Sequence, residues 1–124
     1  MANCLLIDGD RNSRAEISRL LDECGLHVIL SEGAEDALKR CRESTPDIVV
    51  MAPEGQAMPA KDFVRRVRRT TRGKAPAVIF YASSPDAEAI GETILEGAAD
   101  FISRPIDGDL LRFKLTQAGI LRAA

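Results

Sequence analysis

The sequence has few of the residues that mark metal-binding, disulfide-linked or membrane proteins. It contains one histidine and three cysteines, and Cys4, Cys24 and Cys41 include no close pair, so they predict neither a zinc site nor a disulfide framework. No apolar run approaches the roughly 20 residues of a membrane helix. The first apolar stretch, residues 4–7, is ended by Asp8 before it could form a signal peptide. We therefore expect a cytoplasmic protein with buried, reduced thiols, no cofactor and no metal.

Charge of one sign, linkers and repeats are lacking as well. The formal net charge is -2, which gives no global electrostatic argument for a nucleic-acid partner. The length of 124 residues suits one domain with one core, and we treat residues 1–124 as that domain. His27 has no Cys or Asp partner nearby in the sequence, so we expect it at the surface or at a sheet edge.

What the sequence does contain is a regular alternation of two apolar patterns. Continuous apolar runs of strand length occupy residues 4–7, 26–30, 48–51, 77–81 and 101–102. Between them, apolar residues recur at i, i+3, i+4, i+7, which is the spacing of a helix that buries one face. These stripes are Ile17-Leu20-Leu21-Cys24, Ala34-Ala37-Leu38-Cys41 and Ala60-Phe63-Val64-Val67. Two further helices are predicted over residues 86–96, opened by Pro85, and 107–123.

Five alternating strand and helix units predict an α/β fold with a doubly wound parallel sheet. In such folds, ligands and chemistry lie beyond the carboxyl ends of the strands. The segments to examine are therefore residues 8–10, 52–59, 81–84 and 103–105.

Over nearly its whole length the chain resembles the receiver domain of bacterial two-component response regulators. The resemblance rests on four segments: residues 5–10 (LLIDGD), 46–51 (PDIVVM), 58–59 (MP) and 96–105 (EGAADFISRP). It implies a flavodoxin-like (βα)5 fold with strand order 2-1-3-4-5. It also implies a chemistry in which an aspartate after strand three accepts a phosphoryl group from a kinase histidine, while magnesium and a lysine offset the phosphoryl charge.

The first two strand ends depart from the family pattern. Asp8 matches the first of the two acids that hold magnesium in the family, and Gly9 stands where the second should be. Asp10 matches a frequent third acid, whose side chain need not face the metal. Ala52 takes the phosphoacceptor position, and a methyl group cannot form an acyl phosphate. The resemblance therefore implies a degenerate acidic pocket with no phosphoacceptor.

The last two strand ends depart from it too. Tyr81 takes the position of the switch Thr or Ser and carries its hydroxyl on a bulky ring, while Arg104, before Pro105, replaces the phosphoryl-binding lysine. Phe101 matches the aromatic residue whose rotation accompanies the switch. We expect the Tyr81 ring to fill the vacated pocket, against Phe101 or Arg104; the alternative is that it points to solvent.

The loop from Ala52 to Pro59 is longer than the family's usual spacing. Glu54 on this loop could reach the pocket and supply a permanent negative charge there. A solvated loop carboxylate is the simpler expectation.

Two predicted helices carry opposite charge and form the candidate interaction surface. The third is basic and the fourth is acidic and weakened by like-charge spacing and an interior glycine. We expect the fourth to be mobile until a partner holds it, unless the third neutralises it within the molecule. The basic ridge could bind an acidic partner or phosphates, but no aromatic residues interleave with it and a solvated face is the commoner outcome. The surface comprises Arg65, Arg68, Arg69 and Arg72, with Lys61 on the same side, and Glu88, Glu92 and Glu96.

The leading hypothesis is a degenerate receiver, not an enzyme, that acts by phosphorylation-independent protein-protein interaction. Its expected partner is a histidine kinase, another regulator or an attached output domain, with a homodimer through the fourth helix, fifth strand and fifth helix as a further option. The chain ends near the fifth helix, so we expect either a stand-alone adaptor or a piece of a larger protein. One alternative is a phosphorelay receiver that uses Asp8 or Asp10 as acceptor. Another is a small phosphatase-like enzyme, because Asp8-x-Asp10 resembles the first motif of haloacid-dehalogenase-type phosphatases.

Overall fold

In a computed structural model that describes residues 1–84 and 86–122, five parallel strands alternate with five helices. The sheet order is β2-β1-β3-β4-β5, which confirms the predicted fold. The elements are β1 (Asn3–Ile7), α1 (Arg11–Glu23), β2 (His27–Ser31), α2 (Ala34–Glu43), β3 (Ile48–Met51), α3 (Ala60–Thr70), β4 (Ala77–Ala82), α4 (Ala87–Leu95), β5 (Asp100–Ser103) and α5 (Gly108–Gln117). No helix within the described part of the chain is long and apolar enough to cross a membrane.

Each central strand contributes side chains to two cores, one on each face of the sheet. In β1, Leu5 and Ile7 pack with α2 and α3, whereas Cys4 and Leu6 pack with α1 and α5. This division follows from the alternation of side chains along a strand. It explains why the strands are continuous apolar runs, since both faces are covered by helices.

The last helix is shorter than predicted. It ends at Gln117, because Gly119 adopts a φ of 80°, and the N–H groups of Gly119 and Ile120 bond to the carbonyls of Thr116 and Leu115. This left-handed glycine closure terminates a helix. Ala123, the predicted end, lies outside the described residues, as does Pro85 before α4.

Candidate functional site

Three residues meet at the carboxyl edge of the sheet, where the fold predicts a site. Asp8, Ala52 and Tyr81 each directly follow one of three register partners in β1, β3 and β4 (Ile7, Met51 and Phe80). The sheet order places β3 between β1 and β4. Ala52 therefore lies between Asp8 and Tyr81.

Tyr81 crosses over Ala52 to reach Asp8. Its ring is 1% exposed and packs in the same core as Ala52, and its hydroxyl donates a 2.6 Å hydrogen bond to Asp8 Oδ2. A single methyl group at position 52 leaves the space through which the ring passes. Tyr81 thus fills this part of the edge as predicted, and the alternative in which it points to solvent is wrong.

Of the two contacts expected for the Tyr81 ring, the one with Arg104 forms and the one with Phe101 does not. Phe101 is the register partner of Phe80, and their rings stack with centroids 5.7 Å apart on the α2–α3 side of the sheet. Tyr81 follows Phe80 in the strand and so faces the opposite side. The group that lies over the Tyr81 ring is the guanidinium of Arg104, whose central carbon is 4.8 Å from the ring centroid.

Asp8 is buried, and both of its carboxylate oxygens have partners. Oδ1 accepts the backbone N–H of Asp10 at 2.9 Å, and Oδ2 accepts the Tyr81 hydroxyl and lies 3.5 Å from Arg104 Nη2. Burial, reinforced by the hydrogen bond to Asp8 and the Asp8 charge, raises the pKa of Tyr81 far above its usual value. The phenol therefore remains a neutral donor to the carboxylate.

The other two residues of the predicted acidic pocket serve the backbone. Asp10 is the N-cap of α1, where its Oδ2 accepts the Ser13 N–H at 2.8 Å. Gly9 offers no side chain at all. The structure thus gathers the three positions at one loop, but only the Asp8 side chain points to Tyr81 and Arg104.

Arg104 is held on several sides. Its Nε and Nη2 donate to Ser13 Oγ at 3.2 and 2.9 Å, and its Nη1 donates to Glu54 Oε1 at 2.5 Å. Burial opposes the charge of Arg104, but the hydrogen bond to Glu54 and the charges of Glu54 and Asp8 outweigh it and raise its pKa. A lysine has a single ammonium and could not make this planar set of contacts.

Glu54 was expected to be a solvated loop carboxylate, but in the structure it also makes contacts with the site. Its side chain is 51% exposed, yet Oε1 pairs with Arg104 and Oε2 accepts the backbone N–H of Ser83 at 3.4 Å. The loop after β3 therefore returns to the site. The path of this loop could not be predicted from the sequence, because its residues show neither helical nor strand periodicity.

Gln56 was not identified from the sequence. Its Oε1 accepts the Ala34 N–H at 3.1 Å and so caps α2, whose N-cap residue Gly33 has no side chain to do so. A Cβ at Gly33 would lie 3.4 Å from that oxygen. The sequence feature that could have indicated such a contact is Gly33, which precedes α2 and has no side chain to cap it.

A comparison with known protein families identifies the family of this chain. The response regulator receiver domain family matches residues 4–116. The chain belongs to the response regulator receiver domain family. Such domains function in two-component signalling, so the recognition made from the four sequence segments is confirmed.

Individual relatives agree with this assignment. Transcriptional regulatory protein AfsQ1 of Streptomyces coelicolor is 29% identical over 111 residues, which cover 90% of this receiver and 48% of AfsQ1. The chain thus spans about half the length of that relative. Among solved structures, a response regulator from Chloroflexus aurantiacus superposes with a TM-score of 0.85 at 19% identity, covering 94% and 96% of the two chains. The beryllofluoride-activated NtrC4 receiver domain dimer superposes with a TM-score of 0.84 at 18% identity, covering 95% and 96%.

The magnesium that the receiver family implies does not fit the side chains present here. Magnesium requires several oxygen ligands in near-octahedral geometry. Asp8 already uses both oxygens, the Asp10 carboxylate caps α1, and Gly9 and Ala52 supply no ligand. Arg104 also places a positive charge 3.5 Å from the Asp8 oxygen that would face the metal.

The basic and acidic helices of this receiver pair with each other. Arg65 Nη2 lies 2.6 Å from Glu96 Oε1, Lys61 Nζ lies 3.5 Å from Glu92 Oε2, and Arg68 donates to the Glu96 carbonyl at 3.2 Å. The third helix thus pairs with the acidic residues of the fourth within the molecule, which was the alternative to a mobile fourth helix.

One predicted member of the ridge is misplaced. Arg72 is not on the α3 face, because α3 ends at Thr70 and its C-cap Thr71 is extended. Arg69 and Glu88 remain exposed on α3 and α4. Their role in partner binding stays a prediction.

Proposed function

We propose that this receiver domain signals by contact, without accepting a phosphoryl group at the Ala52 position. The observation that carries the proposal is the 2.6 Å hydrogen bond from Tyr81 to Asp8, made across Ala52. The ring occupies the volume beside the predicted acceptor, and the hydrogen bond engages the carboxylate that magnesium would need. A methyl group offers no oxygen for an acyl phosphate.

The two alternatives receive less support from the same contacts. Asp8 is 4% exposed and shared by two donors, and Asp10 caps a helix, so neither is free to act as a phosphoacceptor or as the nucleophile of a phosphatase. We therefore propose a non-enzymatic role.

The proposed partner is a histidine kinase, another regulator or an attached output domain. AfsQ1 is named a transcriptional regulatory protein, and the matched region is about half of it. An output domain in the same polypeptide is thus a natural partner for residues 1–124, which we propose form one domain. A cytoplasmic location is part of the same proposal.

We further propose that a second copy of the chain binds at the edge formed by α4, β5 and α5. Four large apolar side chains are exposed on these two helices, and the NtrC4 receiver domain is a dimer. The four are Ile94 at 43%, Leu95 at 89%, Leu110 at 42% and Phe113 at 56% exposure.

Phosphorylation is tested with acetyl phosphate and with beryllofluoride, each in the presence of magnesium. The protein is expected to gain no phosphoryl mass and to show no change in its amide spectrum, while a receiver with an aspartate acceptor, treated in parallel, changes in both. Ala52→Asp is also expected to stay unmodified, because the Tyr81 ring still covers the site.

A phosphoryl mass gain on the unmodified chain would overturn the proposal. Asp8→Asn and Asp10→Asn would then locate the acceptor. Turnover of a generic phosphate ester would instead establish the phosphatase alternative.

A further inference from the structure

We propose that the exposed edge of β2 is a docking site for an extended segment of a partner protein, one with apolar side chains at its centre and basic side chains at its ends. Such a segment would add a strand to the sheet beyond β2, where the sheet now ends. The site lies at the edge opposite α4, β5 and α5 and does not involve the predicted acceptor position. It therefore goes beyond the proposed function and does not depend on whether the chain accepts a phosphoryl group.

The backbone of β2 has unpaired hydrogen-bonding groups along its outer side. The His27 N–H donates to the Ala2 carbonyl at 2.9 Å, so it points toward β1. Because backbone groups alternate in direction along a strand, those of Ile29 also point toward β1, and those of Val28 and Leu30 point away from it. No strand lies beyond β2 in the part of the chain that the structure describes. The outer side of β2 therefore offers the N–H and C=O groups of two residues to an added strand.

The side chains of β2 are more apolar than an edge strand in solvent requires. Ile29 is 39% exposed and Leu30 is 48% exposed, and as neighbours in a strand they point to opposite faces of the sheet. Between His27 and Ser31 the strand contains only apolar residues. Edge strands that remain in solvent usually carry charged residues or proline, which discourage pairing with another chain. The composition of β2 is instead that of an edge to which a strand can be added.

Clefts on both faces of the sheet give access to this edge. A cleft of about 280 Å³ lies between β2 and the carboxyl end of α2, and Ile29 is part of its lining. A second cleft, of about 620 Å³, lies between β2 and α1 on the other face, and Val28 is part of its lining. Because the side chains of an added strand would also alternate between the two faces, they would enter both clefts.

The charges that line the two clefts favour a basic segment. Asp22 of α1 lines one cleft and Glu43 of α2 lines the other, and neither has an ion-pair partner among the described residues. The arginines that line the same clefts, Arg19 and Arg40, are already paired with carboxylates of their own helices. Both unpaired acids lie in the last turn of a helix, where the helix dipole is also negative. Lysine or arginine beside the apolar centre of a segment would complement this charge on both faces.

The test uses the acetylated and amidated peptide KTVIVTK, whose binding is followed by NMR of the labelled chain and by amide hydrogen exchange. The Val28 and Leu30 amides are expected to show saturable shifts. At a peptide concentration tenfold above the dissociation constant they should exchange about tenfold more slowly, because only the free protein leaves them open. The Ile29 amide already bonds to β1 and should gain less protection.

Two further peptides test the strand pairing and the charge separately. KTPPPTK has proline at its three central positions, which removes the backbone donors, and should not bind. ETVIVTE has glutamate in place of both lysines. It should bind about fivefold more weakly or worse, because attractive surface pairs with Asp22 and Glu43 become repulsive.

Val28→Pro tests the edge from the side of the protein. Proline at this position removes an N–H that points away from β1, so the pairing of β2 with β1 is retained. The variant should bind KTVIVTK about tenfold more weakly, since a buried acceptor of the peptide loses its donor. Leu95→Glu, at the opposite edge, is the matched control and should bind the peptide as the unmodified chain does.

The docking site is overturned if KTPPPTK binds as well as KTVIVTK, if the shifts lie outside β2, or if folded Val28→Pro binds unchanged. Equal binding of ETVIVTE would overturn the basic character of the partner. Protection of the Val28 and Leu30 amides that rises with protein concentration, without peptide, would overturn the proposal in favour of a second copy at this edge. Phosphorylation of the chain would contradict only the proposed function, since this titration contains no phosphoryl donor.

Discussion

Ala52 contributes only a methyl group to the carboxyl edge of the sheet, and this small volume determines what its neighbours do. The Tyr81 side chain reaches past it to donate to Asp8, and the Arg104 guanidinium lies over the same ring. The buried Asp8 carboxylate, which follows β1, therefore receives the Tyr81 hydroxyl from β4, a strand that is not adjacent to β1. Side chains therefore fill the space around Asp8 that a metal ion would need.

At the residue scale, Tyr81→Phe tests the buried hydrogen bond. It should lower the free energy of unfolding at neutral pH by about 1.5–3 kcal/mol, the usual range for a hydrogen bond to a charged group. Because folding raises the pKa of Tyr81, its contribution is complete below the usual value of 10.0 and is lost as the pH rises above it. Urea unfolding of both proteins at pH 7 and above pH 10 measures the difference.

The double variant with Asp8→Asn provides the control. If the two groups interact, the effects of Tyr81→Phe and Asp8→Asn on unfolding will not add. Additive effects, or a difference between the unmodified chain and Tyr81→Phe that grows with pH, would contradict the assigned contact.

These residue contacts were predictable only in part. The filling of the pocket by Tyr81 followed from the missing side chain at Ala52, since a void at that depth would be unfavourable. The contacts of Glu54 and Gln56 could not be predicted, because they depend on the conformation of a loop without periodicity. Asp10 and Glu54 each lie on a loop that follows a strand, yet they have different roles: Asp10 caps a helix and Glu54 pairs with Arg104.

At the scale of elements, apolar periodicity predicted the strands and the first three helices, and the alternation of strands and helices predicted the last two, whereas the ends of the elements depended on local closures. Helix α5 stops early at the Gly119 turn, and α3 stops before Arg72. A sequence pattern continues past such points because charged and apolar residues recur whether or not the chain is helical. Pairing between α3 and α4 was likewise an open alternative, since it depends on how two separate helices are packed.

The α3–α4 pairs predict how α4 behaves. Arg65→Gln should speed amide exchange at the carboxyl end of α4, because it removes the bidentate partner of Glu96. The hydrogen bond from Arg65 holds the pKa of Glu96 below its usual value of 4.5. The pair is therefore formed above that value and is lost as the pH falls below it, so the two proteins should exchange alike in acid. Hydrogen–deuterium exchange at neutral and acidic pH measures this.

Arg66→Gln is the control for this experiment. Arg66 lies beside Arg65 but contacts Glu35 of α2, at 3.3 Å. Its substitution should leave α4 unchanged. Equal exchange of α4 in all three proteins would mean that the ion pairs do not hold the helix, and rapid exchange throughout residues 86–96 of the unmodified chain would support the mobile helix expected from its sequence.

At the scale of the whole molecule, both edges of the sheet expose large apolar side chains. The proposed dimer edge carries four apolar side chains on α4 and α5, and the opposite edge strand β2 exposes Ile29 and Leu30. The parallel sheet followed from the apolar pattern and its strand order from the family resemblance. The edge of α4, β5 and α5 was suggested as a dimer surface by the family resemblance, whereas the apolar pattern alone does not distinguish the edges, because both expose apolar residues.

The dimer proposal predicts a concentration-dependent mass. Sedimentation equilibrium should show a dimer for the unmodified chain and a shift to monomer, by about tenfold or more in dissociation constant, for Leu95→Glu and Phe113→Glu, since each places a charge in an apolar contact. Leu30→Glu, on the opposite edge, is the matched control and should stay dimeric. A chain that remains monomeric at all concentrations, or a dimer disrupted only by Leu30→Glu, would contradict the assigned edge.

The ring that lies over Ala52 also constrains the order in which mutations can accumulate. A carboxylate that arose first at position 52 would lie close to the Tyr81 ring and the Asp8 carboxylate, while a smaller residue that arose first at position 81 would remove the hydroxyl that donates to the buried Asp8. Both routes toward an aspartate acceptor pass through a less stable protein. Selection for folding stability alone would therefore favour keeping the present residues at positions 52 and 81.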